Sequence, residues 1–247
     1  MTIALDSIQG MPAFCTYFPM PPARYRNARF QYVYFRADRS AIDRVLPACF
    51  EPSDDGFCAA FGLTVPWSSN YGPFDESGLI VKCKYQGIDG YFSPVVFLNS
   101  RSSIPAGREI YGTPKVFAQL TVGMDERVMF TETRITDISL LSVRSTMHRE
   151  ARPDEMYRLQ PSWRLKVVPR ADGQGVDVMQ IIDVSRVTSD VVVHVCRSGD
   201  GVVQFNPAPI YDLSDFQPRE YLGANYLEMD YTEGYGEIVH DFLRKDA

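Results

Sequence analysis

Val116-Phe117-Ala118-Gln119-Leu120-Thr121-Val122 and, a few residues on, Val128-Met129-Phe130-Thr131-Glu132-Thr133-Arg134-Ile135 are short runs rich in β-branched and aromatic residues, parted by Gly123 and Asp125. Runs of this length bounded by turn residues read as antiparallel strands. The pattern recurs at residues 30–35, 79–85 and 95–98 before it and at 164–168, 176–184 and 191–195 after it. The fold class expected is therefore mainly β (α+β), an antiparallel sheet or barrel. Helical signals are few: residues 38–46 begin at Asp38, a capping residue type, and end before Pro47, and residues 233–245 read as a C-terminal helix. Residues 168–175 read as a turn between strands, not as an interdomain linker.

With 247 residues, 45% hydrophobic and 13% aromatic, the chain has material for one large core, and a single domain over residues 1–247 is expected. A charged fraction of 23% excludes disordered, collagen-like and coiled-coil classes. Twenty-five basic against 31 acidic residues give a net charge of −6 with no basic run, so nucleic acid is not an expected partner. The longest apolar stretches, residues 94–98 and 191–195, fall far short of the roughly 20 residues that span a bilayer. No basic segment followed by an apolar core opens the chain, so a cytoplasmic location without membrane association is expected. The five cysteines (Cys15, Cys49, Cys58, Cys83, Cys196) are scattered without a C-x-x-C pair and read as reduced, mostly packed residues.

Several chemistries are absent from the sequence. Gly173-Gln174-Gly175-Val176-Asp177-Val178 lacks a third glycine and precedes a strand, so it is a turn and not a dinucleotide loop. Neither a phosphate-binding loop nor a G-x-S-x-G nucleophile elbow occurs. His148, His194 and His240 never fall at metal-ligand spacing, and no metal site is expected.

Lysine is the unusual residue. Only five of the 25 basic residues are lysines. Lys82 and Lys84 share one face of a strand, Lys166 alternates with Leu165 and Val167, and Lys245 lies in a polar C-terminus. Lys115 differs: it follows the turn Gly112-Thr113-Pro114 and opens a run with apolar groups on both faces. Burial disfavours an ammonium, and a neutral amine attacks a carbonyl carbon to form a Schiff base. A strand-initial lysine that reaches water is the commoner case. On the residues alone both readings stand.

Gly107-Arg108-Glu109-Ile110-Tyr111-Gly112-Thr113-Pro114-Lys115 resembles the signature of the acetoacetate decarboxylase family, whose G-R-E and P-K motif carries an imine-forming lysine. Glu76-Ser77-Gly78 and Phe97-Leu98-Asn99 fall in register upstream. Leu165-Lys166-Val167-Val168-Pro169 and Ile238-Val239-His240-Asp241-Phe242-Leu243 resemble the family's later strand and terminal helix, so the likeness covers about residues 16–244. It implies a mostly antiparallel, cone-shaped β-barrel with few helices, assembled into homo-oligomers. It implies Lys115 as the Schiff-base nucleophile, with Glu76 and Glu109 as acidic groups near it, and no metal, flavin, nicotinamide or pyridoxal cofactor.

The sequence departs from the family at three places. Val116 stands where a second lysine is expected, on the opposite strand face from Lys115. At the substrate gate, Ala28 replaces an arginine, with Arg29 beside it, and Phe61 replaces a glutamate. These residues, with Tyr111, are the expected substrate contacts. Tyr85 is a further acid/base candidate, and Arg29, Arg101 and Arg108 are candidate carboxylate binders. Loss of the polar gate suggests a substrate larger or less polar than acetoacetate, and the leading expectation is aldol-type condensation or cleavage with dehydration on a small oxo acid, for example pyruvate with an aldehyde. The alternatives are a true β-keto acid decarboxylase and a non-catalytic barrel that binds an apolar carbonyl ligand.

Overall fold

The computed structural model describes residues 2–244. Its strands are β1 (Ala23–Arg36), β2 (Glu51–Pro52), β3 (Phe57–Val65), β4 (Trp67–Ser68), β5 (Phe74–Tyr85), β6 (Ile88–Leu98), β7 (Lys115–Phe117) and β8 (Gln119–Asp125), then β9 (Val128–Ile135), β10 (Ile138–Glu150), β11 (Ser162–Pro169), β12 (Val176–Asp183), β13 (Thr188–Phe205), β14 (Glu220–Glu233) and β15 (Glu237–Asp241). The α-helices are α1 (Arg39–Val45) and α2 (Ser103–Ala106). All the strands belong to one sheet, whose main path runs β15-β12-β11-β6-β5-β3-β1-β14-β13-β10-β9-β8. The mainly β fold is thus observed, with two departures from pure antiparallel pairing: β6 pairs in parallel with both β7 and β11.

Alternation along the strands gives the sheet two different faces. On β5, Leu79, Val81 and Cys83 are buried in a core shared with Val33 and Phe35 of β1 and Leu141 and Val143 of β10, because the sheet curls until its far end lies across its middle. That crossing is tied by polar bonds. Gln31 Nε2 donates to the Met129 carbonyl at 2.9 Å, Thr131 Oγ1 donates to Gln31 Oε1 at 2.9 Å, and Ser77 and Thr133 hydroxyls meet at 2.6 Å. Gly62 lies where β9 crosses β3, and a side chain there would run into Thr131. The other face, with Phe30, Tyr32, Phe61, Leu63, Glu76 and Ile80, lines a cavity.

Two sequence expectations change, and one strand was not anticipated. The C-terminal helix over residues 233–245 is not formed: Glu233 ends β14, and residues 237–241 form β15 against β12, with Lys245 outside the described residues. Strand β14 gives no clear alternating signal, because its polar residues are neutralised across the sheet, Glu228 by Arg29 and Asp230 by Arg26 and His194. Asp38 precedes α1 but makes no side-chain cap, pairing instead with Arg219. The turn over residues 168–175 is present, closed by the Arg170 amide on the Gly175 carbonyl at 3.1 Å.

Candidate active site

Lys115 enters the cavity through the local structure of its own motif. After α2, residues Gly107–Tyr111 form a π-helical turn that ends on Gly112 at φ 70°, a conformation suited to glycine. A side chain on Gly112 would also stand 2.5 Å from Lys166 Cβ. Gly107 leaves the space through which the Lys115 methylenes pass: a Cβ there would lie 2.8 Å from Lys115 Cε. Arg108 Nη1 donates to the Lys115 carbonyl at 3.2 Å, and Lys115 then pairs with Val96 at the start of β7. The motif residues thus thread one lysine into a cavity.

Inside, Lys115 Nζ lies 3.1 Å from Glu76 Oε2, donates to Ser103 Oγ at 3.0 Å and sits 5.9 Å from the Phe74 ring centroid. Its side chain is 14% exposed and that of Glu76 13%, so the pair is largely withdrawn from water. The register explains the approach. Gly78 pairs with Val96, which pairs with Lys115, so amine and carboxylate reach the same face from two strands apart. Gly78 also leaves room for Phe61, whose ring would stand 2.9 Å from an added Cβ. Between the pairs Leu79–Val95 and Val81–Phe92 the register slips, at Pro94, and Ser93 and Val96 both line the cavity.

A second carboxyl, Glu233 at the end of β14, lines the same cavity of about 200 Å³. Burial raises its pKa above the ordinary value; the charge of Lys115 and a 2.7 Å hydrogen bond from Tyr25 Oη oppose that shift, and Glu76 adds to it. Tyr25 is itself stacked on Tyr231 at 4.5 Å, and burial raises both phenols well above their ordinary range. Two carboxyls thus flank one amine in unlike environments, Glu76 paired with it and Glu233 pushed toward its neutral form. Such a difference suits one group to accept a proton and the other to donate one.

The expected site residues divide accordingly. Lys115, Glu76, Phe61 and Tyr111 line the cavity, with Tyr111 anchored by its hydroxyl on the Gly234 carbonyl at 2.7 Å. Glu109 does not: the π-helical turn leaves it exposed, where it acts on Lys166. Ala28 is buried in a neighbouring apolar cluster with Tyr25 and Leu63, and Val116 packs against the main core on the face opposite Lys115. A register shift at Asn27, whose φ is 51°, turns Arg29 into an outer groove, where it lies 3.4 Å from Glu228. Tyr85 packs on Trp163 and Phe50, and Arg101 is exposed. Sequence reasoning missed Glu233, Ser103, Tyr25, Phe74 and Arg164. Of these, only Arg164 falls within a run read as a strand, and nothing in its spacing marks it.

The fold and the cavity define a β-sheet protein built around a half-buried lysine–carboxylate pair. The family model for acetoacetate decarboxylase matches residues 10–243, and the chain belongs to that family. It is 29% identical over 240 residues to an acetoacetate decarboxylase of Acidiphilium cryptum, covering 95% of each chain. Its fold matches the crystal structure of acetoacetate decarboxylase from Legionella pneumophila with a TM-score of 0.86 at 23% identity, over 99% of this chain and 98% of the other. It also matches the enduracididine biosynthesis enzyme MppR complexed with the condensation product of pyruvate and imidazole 4-carboxaldehyde, with a TM-score of 0.79 at 18% identity, over 95% and 97% of the two chains.

Proposed function

We propose that the protein is an imine-forming lyase that acts on a small oxo acid through Lys115. The observation that carries this reading is the Lys115 amine held 3.1 Å from Glu76 and 3.0 Å from Ser103 inside a small cavity. Glu76 takes the proton that the ammonium must lose, and the amine attacks the ketone carbon; expulsion of water leaves an iminium. The iminium withdraws the electron pair of a bond next to it, either C–H with loss of a proton or C–C with loss of carbon dioxide, and an enamine results. Glu233, whose environment favours its neutral form, supplies protons to the enamine or to a departing hydroxyl. Hydrolysis of the imine returns Lys115.

The enamine adds to an aldehyde and then loses water in our preferred reading, condensation with dehydration or its reverse. Support comes from the wall: Phe61 and Phe30 make one side of the cavity aromatic. Acetoacetate-type decarboxylation is the second reading, supported by the 29% identity to a relative of that name. A barrel that only binds a carbonyl ligand would have no use for the paired Glu76. The reading extends to a homo-oligomer of one domain over residues 1–247, supported by strand valines left uncovered, with Val191 51% and Val192 53% exposed. No described helix is long and apolar enough to cross a membrane.

The test is borohydride reduction after incubation with pyruvate or acetoacetate, followed by peptide mapping. A mass adduct on Lys115, absent from Lys115→Ala, is expected. Carbon dioxide and a ketone from acetoacetate would favour decarboxylation, whereas an enone from pyruvate and an aldehyde would favour condensation. No adduct with either acid sinks the imine reading.

A further inference from the structure

Arg164 has no task in the chemistry above, yet its environment is unusual. It lies on β11 and lines the Lys115 cavity. Its Nη1 donates to Ser162 Oγ at 2.9 Å and to the Trp163 carbonyl at 2.8 Å, so one corner of the guanidinium is anchored. Its Nε is buried without a hydrogen-bond partner. Among the described residues no carboxylate reaches it within ion-pair distance, because Glu76 is engaged by Lys115. Burial lowers its pKa to about 10, against the charges of Glu76 and Asp183, so it stays a cation at neutral pH.

A buried guanidinium with an idle donor is costly, and native structures keep such groups where something else completes them. Its planar fork fits a carboxylate, which can accept two parallel N–H bonds. The cavity of about 200 Å³ is smaller than the roughly 300–1,000 Å³ of sites for drug-sized ligands, which limits the occupant to a short molecule. Phe30, Phe61, Ile80 and Val96 would enclose its carbon chain.

We infer that Arg164 binds the substrate's carboxylate, and that the substrate is a short 2-oxo monocarboxylate which keeps that carboxylate through the reaction. An ion pair stabilises the charge that decarboxylation would remove, so a clamped carboxylate suits loss of an α-proton and not loss of carbon dioxide. The balance is the one already given: the iminium takes the C–H electron pair, the proton leaves to a cavity carboxylate, and the clamped group is unchanged. The inference rests on imine formation at Lys115 and assigns the other end of the same substrate.

The test compares trapping of pyruvate and of acetone, a neutral ketone, by the wild type, Arg164→Met and Arg164→Lys. For Arg164→Met the pyruvate concentration giving half-maximal adduct rises at least about tenfold, a factor that one good charged contact supplies, while the value for acetone stays within about twofold. Arg164→Lys keeps the charge without the fork and falls between. An unchanged pyruvate value, or a parallel loss with both ketones, overturns the inference. Where Arg164→Met lacks a cooperative unfolding transition, Arg164→Lys decides by the same ratio. Calorimetric binding of propionate needs no imine and separates the two claims: binding by the wild type that Arg164→Met abolishes supports the carboxylate site even without an adduct, and equal binding by both sinks it.

Discussion

One face of β5 carries two lysine–carboxylate contacts of nearly equal length with opposite consequences. At its start, Glu76 lies 3.1 Å from Lys115 in a cavity where both side chains are under 15% exposed. At its far end, Lys82 lies 2.9 Å from Asp55, whose side chain is 38% exposed, and 3.8 Å from Asp89. The Asp55 hydrogen bond raises the Lys82 pKa, with burial opposing; for Asp55, burial works upward but the Lys82 hydrogen bond and the Phe57 amide hold it below its ordinary value. The outer pair therefore settles as two stable ions in water. The inner pair shares its cavity with a second carboxyl pushed toward its neutral form and a guanidinium whose Nε has no hydrogen-bond partner. Contact distance does not separate the two lysines; their exposure to solvent and the groups around them do.

The largest effect expected from this contrast is at the lysines. Lys115→Ala removes borohydride trapping by at least about a thousandfold, as loss of a covalent nucleophile does, whereas Lys82→Ala traps like the wild type; equal behaviour of the two variants would break the comparison. Next come the carboxylates. Glu76→Gln slows adduct formation about a hundredfold or more, the range of general acid–base catalysis, while Asp55→Asn leaves the rate unchanged and lowers stability by no more than about 1 kcal/mol. A stopped-flow trapping series and denaturant melts measure both. Gly107→Ala places a methyl group against the Lys115 stem; displacement of the amine costs about tenfold in trapping rate with cooperative unfolding retained, a sensitivity expected of reacting groups held in register.

The smallest effect is on stability against pH, and its sign differs between the two ends. Glu233 has a raised pKa, so its contribution is fully present below the ordinary 4.5 and is lost as pH rises through the raised value. Thermal melts of Glu233→Gln should gain on the wild type as pH increases across that window. Asp55 has a lowered pKa, so its contribution is present above the ordinary 3.8 and is lost as pH falls through the lowered value. Asp55→Asn should therefore differ from the wild type at neutral pH and converge with it in acid. Curves of the same sign for both variants would count against the different environments assigned to the two carboxyls.

Local sequence was sufficient for much of this. The runs around Val116–Val122 and Val128–Ile135 became β7 to β9 because β-branched and aromatic side chains fill a pleated, half-buried surface wherever it lies. Period-two alternation put Lys115 and Val116 on opposite faces, whereas Glu76 and Glu109 were both named by the family resemblance, and only Glu76 reaches the amine. Such rules act between near neighbours, so they can be read along the chain.

Tertiary structure decided what alternation cannot encode. Glu109 is six residues from Lys115 in the chain, yet a π-helical turn carries it to the surface, while Glu233 arrives from β14 and Arg164 from β11. Strand β14 itself was hidden because its charged residues are neutralised by partners on β1 and β13. Whether a carboxyl is solvated, paired or pushed toward its neutral form depends on which strands curl over it. That is a property of the curled sheet, since burial and Coulomb energy are set by distances through space and not by position along the chain.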